Sequence, residues 1–155
     1  METIILRRSD WEELEGKWQE LVLENYHPDY NGMGELYHGI TTAEEKIENM
    51  KPYVIGIPVW GAWSGERLAG VIMGKISGER LVIYDMFVSS SYRRQGIGRQ
   101  LVQLAVQESG ARIITAEINR DNAASQELFK SLSFQPKKTS DWLGFEVPDQ
   151  KSNRP

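Results

Sequence analysis

Hydrophobic positions recur along this chain with two different periods. Trp11, Leu14, Trp18, Leu21 and Val22 follow helical spacing and share one face. Ser9, with Glu12 three residues on, is a capping-box start for that helix, and His27-Pro28 places its end near Asn25. Ahead of it, the short β-branched run Thr3–Arg7 predicts a first strand. Thr42 with Glu45 repeats the capping pattern and predicts a second helix through about Met50. Between the helices, 26-YHPDYNGMGELYHGI-40 has no period and is rich in Gly, Asn and Tyr. Loops of that length in a compact domain are often functional.

From Val54 the period shortens. Val54–Trp63, Arg67–Ile76 and Leu81–Val88 are β-rich runs separated by Ser64-Gly65-Glu66 and by Ser77-Gly78-Glu79-Arg80, which predicts an antiparallel meander. Pro58 favours a bulge or an edge position in the first of these strands. Trp60 and Trp63, three apart, face opposite sides of a regular strand. Helical spacing returns over Gly98–Ser109 and Asp121–Leu132, and the continuous apolar run Ile113–Ile118 between them suits a buried parallel strand. Phe134 opens a last strand region, with Trp142–Val147 returning beside it. A meander followed by strand–helix–strand is a mixed α+β order, with strands 81–88 and 113–118 as parallel neighbours.

Composition narrows the classes. The 155 residues suffice for one core, read as a single domain over 1–148 with a tail at 149–155. The hydrophobic share of 40% and charged share of 26% are those of an ordinary soluble protein. A net charge of −4 does not suit nucleic-acid binding. The absence of cysteine excludes disulfides, thiolate metal sites and a cysteine nucleophile. METIILRRSDWEE lacks the apolar run and cleavage site of a signal peptide, and no apolar stretch reaches the ~20 residues of a membrane span. The expectation is a cytoplasmic protein without a membrane partner. His27 and His38 match no metal-ligand spacing, so no metal is expected.

The stretch 90-SSYRRQGIGRQLVQLAVQE-108 sets two glycines and three arginines before a helix. The first turn of a helix leaves N–H groups unpaired and carries partial positive charge. Gly96 and Gly98 remove Cβ atoms there, while Arg93, Arg94 and Arg99 add charge, so the turn could cradle a phosphate. By itself the motif reads equally as a glycine turn with solvated arginines. It is neither a Walker A loop nor a dinucleotide fingerprint.

Arg93-Arg94-Gln95-Gly96-Ile97-Gly98 resembles the R/Q-x-x-G-x-G/A motif of the GNAT N-acetyltransferases, placed after the fourth strand as in that family. The preceding 83-IYDMFV-88 resembles the family's fourth strand. Downstream, 122-NAASQELFKSLSF-134 is similar to its N-x-x-[AS]-x-x-L-Y-x-x-x-G-F segment, with Asn122, Ser125, Leu128 and Phe134 matching. The resemblance covers residues 67–135 firmly. It implies an acyl-CoA N-acyltransferase fold: a central, mixed, mostly antiparallel sheet of six to seven strands flanked by about four helices. It also implies acetyl transfer from acetyl-CoA to a primary amine, of a small molecule or a protein, by direct attack. The pyrophosphate would sit on the N–H groups of residues 94–99, drawing on Arg93, Arg94, Gln95, Gly96, Ile97, Gly98 and Arg99. The pantetheine arm would pair with Met86, Phe87 and Val88 like an added strand. A β-bulge near Phe87 or Val88 would aim the Val88 N–H at the thioester carbonyl, a donor of a kind worth ~3–4 kcal/mol. Asn122, Ser125 and Phe129 would line the coenzyme site. Many relatives dimerise, and the expectation for this chain is a monomer or homodimer.

Two positions depart from the family pattern: Ser133 replaces a glycine, and Phe129 replaces a tyrosine that in many relatives protonates the departing thiolate. A thiol with pKa near ~8.5 costs at most ~2 kcal/mol to release as thiolate, whereas a lysine-like acceptor costs ~4–5 kcal/mol to deprotonate at neutral pH. The base is therefore the greater need. Asp85, or a carboxylate acting through water, is the favoured candidate, with Glu117 and Glu35 as competitors, and Tyr84 or water could return a proton to the thiolate. Tyr30, Glu35, Tyr37 and His38 are candidates for the acceptor pocket. The alternative function is a coenzyme A-binding sensor or partner-binding module with weak or no turnover, motivated by Phe129.

Overall fold

The computed structural model describes residues 3–25, 42–119, 123–138 and 142–147, with the backbone alone at 53, 117–119, 123–125, 135–138 and 142–147. Strand β1 (Ile5–Arg8) leads into helices α1 (Trp11–Leu14), α2 (Lys17–Asn25) and α3 (Ala43–Val54). Strands β2 (Val59–Ser64), β3 (Arg67–Ser77) and β4 (Arg80–Val88) follow, then helix α4 (Ile97–Ser109) and strand β5 (Ile113–Asn119). Helix α5 (Ala123–Ser131) and strands β6 (Gln135–Lys138) and β7 (Trp142–Val147) complete the order.

Several local expectations shift. The first helix is capped one residue later than Ser9–Glu12 predicts: Glu13 Oε1 accepts from the Asp10 N–H at 3.0 Å. The Ser9 hydroxyl instead donates to the Arg7 carbonyl and accepts from Trp63 Nε1, both at 3.0 Å. The predicted single helix is also broken into α1 and α2 at Gly16, whose φ of 82° is left-handed. Thr42 does cap α3, accepting from the Glu45 N–H at 3.1 Å. That helix runs past Met50 and through Pro52, because Met50 and Val54 are fully buried and hold its last turn against the sheet. Val54 thus leaves the predicted strand, and Pro58 precedes β2 rather than distorting it.

Among the described residues, seven strands form one sheet in the order β1-β2-β3-β4-β5-β7-β6. The meander β2–β3–β4 is antiparallel, and β4 and β5 are parallel neighbours, as the mixed α+β reading requires. Apolar layers cover both faces. Trp60, Ile72, Leu101, Ile114 and Phe129 fill the α4–α5 side, and Leu14, Trp18, Met50, Trp63 and Phe87 fill the α1–α3 side. Trp60 and Trp63 therefore do part to opposite faces.

Two irregularities open the middle of the sheet. Met73 pairs with Asp85 and Gly74 with Ile83, so Tyr84 is an extra residue in β4. This bulge lies three to four positions before the Phe87–Val88 site expected from the resemblance. Gly74 lies opposite it, where an added Cβ would come within 2.7 Å of the Val82 carbonyl oxygen, so this close backbone approach requires glycine. The extra residue reverses the alternation of β4. Leu81 and Ile83 face the α4–α5 layer before it, while Phe87 faces α1–α3 after it. The second irregularity is a parting of strands: β4 pairs with β5 only over Arg80–Ile83 and Ile113–Ala116, while β5 continues against β7 as far as Asn119.

Candidate active site at the parting of the central strands

The end of β4 enters a tight turn that the rest of the fold holds in place. The Ser89 N–H donates to the Ala69 carbonyl of β3 at 2.8 Å, and a 3-10 turn follows at Ser90–Tyr92. Tyr92 is buried beneath the Arg67 guanidinium, which sits 5.2 Å from its ring centroid. Arg94 and Gly96 then take left-handed conformations, with φ of 65° and 77°. For arginine that conformation costs on the order of 1–2 kcal/mol. The first bond of α4 runs from the Gln100 N–H to the Gly96 carbonyl at 3.0 Å. The N–H groups of Ile97, Gly98 and Arg99 precede it and have no place in the helical ladder.

The two glycines serve different ends. A Cβ at Gly96 would meet nothing within 4 Å, so that position needs glycine for its φ and leaves open space at the helix start. A Cβ at Gly98 would touch the Met86 Cε at 3.4 Å and Leu128 Cδ2 at 3.5 Å, so it faces protein. The arginines also divide. Arg93 Nη2 donates to Asn25 Oδ1 at 3.0 Å, and an Arg99 Nη2 donates to the Ser131 hydroxyl of α5. Among the described residues, Arg94 makes no side-chain hydrogen bond or ion pair. Gln95 and Gly96 are exposed, and Ile97 is buried beneath them.

Beyond the parting, the outer edge of β4 is exposed to the opening. Successive N–H groups of an extended strand point to alternate sides. Since the Ser89 N–H turns to β3, that of Val88 turns the other way, toward the side β5 has left. The Val88 carbonyl accepts from Asn25 Nδ2 at 3.2 Å, and the Met86 N–H donates to Asp85 Oδ1 at 3.1 Å. Met86 and Val88 pack on the α4–α5 layer, and Tyr84 on the α1–α3 layer.

Asp85 is not a lone carboxylate. Its Oδ2 lies 3.3 Å from Lys46 Nζ of α3, with side-chain exposures of 10% and 4%. The same ammonium lies 4.9 Å from the Phe87 ring centroid. Lys46 gives no motif signal, since one lysine in a polar helix looks solvated; only the docking of α3 turns it inward. Glu24 was equally illegible. Its Oε1 accepts from the Ser90 N–H at 2.7 Å, from the Ser89 hydroxyl at 3.4 Å and from the Ser90 hydroxyl. Desolvation pushes this carboxyl up, but the Ser90 and Ser89 bonds with the Arg93 charge outweigh it and hold it below the ordinary range.

Phe129 is 3% exposed and meets Phe134 edge-on at 5.0 Å. The contact closes a Schellman end to α5: the Phe134 N–H donates to the Phe129 carbonyl and the Ser133 N–H to that of Lys130, both at 3.0 Å. Ser133 occupies the left-handed position of that motif, with φ of 69°. Tyr30, Glu35, Tyr37, His38 and Asn122 lie outside the described residues, as do the side chains of Glu117 and Ser125.

The model of the acetyltransferase (GNAT) family matches residues 18–134. A curated relative, the mycothiol acetyltransferase of Corynebacterium efficiens, is 27% identical over 129 residues. The match takes in 79% of this chain and 41% of that protein, so the chain spans about two fifths of its relative's length. Among solved structures, the PaiA N-acetyltransferase of Thermoplasma acidophilum in complex with coenzyme A superposes with a TM-score of 0.73 at 19% identity, covering 94% of this chain and 99% of that one. PH1933 of Pyrococcus horikoshii gives 0.72 at 18% identity, covering 95% and 99%. The ribosomal-protein-S18-alanine N-acetyltransferase of Escherichia coli gives 0.66 at 16% identity, covering 95% and 94%.

Proposed function

The chain belongs to the acetyltransferase (GNAT) family, and on that premise we propose that it is an N-acetyltransferase acting from acetyl-CoA on a primary amine of a small molecule or a protein. The observation that carries the reading is the joint placement of a β4 edge freed from β5 and a left-handed turn opening onto the start of α4. The turn fits a pyrophosphate. Its first helical N–H groups are outside the ladder, the space over Gly96 is open, and the exposed Arg94 makes no side-chain hydrogen bond or ion pair among the described residues. The coenzyme A held by PaiA in the solved complex supports the same assignment.

Bound acetyl-CoA supplies an activated thioester, and the amine forms the new C–N bond as the C–S bond breaks. The chain's own contributions are positional. The Met86–Val88 edge offers strand-like hydrogen bonds to an extended amide arm. The Val88 N–H faces the opening and can donate to a carbonyl oxygen as it gains negative charge, a role worth about 3–4 kcal/mol. Asp85 is better read as a fixed charge than as the base. Taking a proton would forfeit attraction to Lys46 on the order of 5 kcal/mol at their 3.3 Å separation. The acceptor's proton then passes to another carboxylate, Glu117 or Glu35, or to water, and Tyr84, beside Asp85 in β4, is the side-chain candidate for returning one to the thiolate.

The burial of Phe129 favours a second reading, a coenzyme A-binding module without turnover, because no tyrosine hydroxyl stands at that position. Calorimetry with coenzyme A and with ADP, followed by thiol release across a panel of amines, separates the two. Coenzyme binding without thiol release selects the module. Gly96→Asp should weaken binding of both ligands by placing a carboxylate in the open space, and unchanged affinity rules out the cradle.

A further inference from the structure

The last two residues of α2 reach three successive pieces of the proposed coenzyme site. Asn25 Nδ2 donates to its own helix at the Leu21 carbonyl (2.8 Å) and to the Val88 carbonyl at the end of β4 (3.2 Å). Its Oδ1 accepts from Arg93, the first residue of the glycine motif. Glu24 takes the Ser90 N–H and the hydroxyls of Ser89 and Ser90 between them. The helix itself is held by Leu21 and Val22, both in the core. One rigid element therefore grips the chain from Val88 to Arg93, immediately before the left-handed Arg94. A strained non-glycine residue persists only where its surroundings over-determine it, and the α2 contacts supply that constraint on its N-terminal side.

We propose that Glu24 and Asn25 are positioning residues for acetyl-CoA, pre-forming the turn that receives its pyrophosphate. Arg93 accordingly acts on the turn through Asn25. The inference rests on the cofactor reading above and adds to it a second element, α2, which the glycine motif does not contain. Pre-forming the turn lowers the ordering cost of binding, so its loss appears in affinity and not in the chemical step.

The test is calorimetry of coenzyme A and ADP on the wild-type chain, Asn25→Ala, Glu24→Ala and Glu24→Gln, with thermal midpoints measured alongside. Asn25→Ala and Glu24→Ala should each weaken both ligands by about tenfold, the equivalent of one or two hydrogen bonds. KM for acetyl-CoA should rise by the same factor, with kcat at saturation unchanged. Glu24→Gln should stay close to wild type, because its amide oxygen still accepts from the Ser90 N–H. In an Arg93→Ala background, Asn25→Ala should cost less than it does in the wild type. Unchanged affinity in the two folded alanine variants overturns the inference alone. So does a Glu24→Gln loss as large as that of Glu24→Ala, or an Asn25→Ala loss that persists undiminished without Arg93. A wild-type chain that binds neither ligand overturns the cofactor reading and the inference with it.

Discussion

Removing the ammonium of Lys46 is the sharpest single perturbation of the sheet's centre. In Lys46→Met the carboxylate of Asp85, 10% exposed, keeps the Met86 N–H at 3.1 Å but loses the cation at 3.3 Å. With an effective dielectric near 20 that attraction is on the order of 5 kcal/mol before desolvation is counted. Breaking one side of a buried pair costs about 3–5 kcal/mol, whereas replacing both members with apolar residues is often neutral. Lys46→Met and Asp85→Leu should therefore each be severely destabilising, and Lys46→Met/Asp85→Leu less so than either alone. Urea unfolding followed by tryptophan fluorescence gives the four free energies and hence the coupling. Additivity within about 0.5 kcal/mol would refute the pair as an energetic unit. If Asp85 is a fixed charge, the double variant should also retain measurable thiol release; complete loss in a folded double variant would return the base role to Asp85.

Three further outcomes follow from local geometry. Ser133→Gly relieves a left-handed serine at the end of α5 and should raise stability by roughly 0.5–1 kcal/mol, read as a higher urea midpoint. Phe129→Tyr introduces a hydroxyl into an apolar cluster at 3% exposure and should cost about 1–3 kcal/mol. An unchanged thermal midpoint would show that the ring edge reaches a polar partner. The Arg7 guanidinium, donating twice at 2.8 Å, holds the Glu13 carboxyl down to about 2 from its ordinary 4.5. A depressed carboxyl stabilises the fold above its unfolded value and loses that contribution as pH falls toward 2. The loss should be under about 1 kcal/mol because the pair is exposed. Glu13→Gln should flatten the acid limb of the stability profile by that amount.

The sequence by itself determined the features that are local in the chain. Helical spacing located the helices because each buries one face, and β-rich runs between turns located the central strands, which bury both faces between the two layers. The Thr42 cap and the turns of the meander involve neighbouring residues, so they were legible too. So was the Gly96 turn, whose left-handed backbone is demanded within a few residues. The tertiary structure decided what depends on pairing between distant segments. The bulge at Tyr84 follows from the register with β3, where Gly74 lets the backbones approach, and no residue of 83-IYDMFV-88 announces it. Lys46 meets Asp85, and Glu24 and Asn25 meet the glycine turn, only after helices docked by their apolar faces carry those polar side chains to the sheet. A polar residue on a helix leaves the same pattern whether it faces water or a buried partner. Packing makes that choice, and the pattern along the chain does not record it.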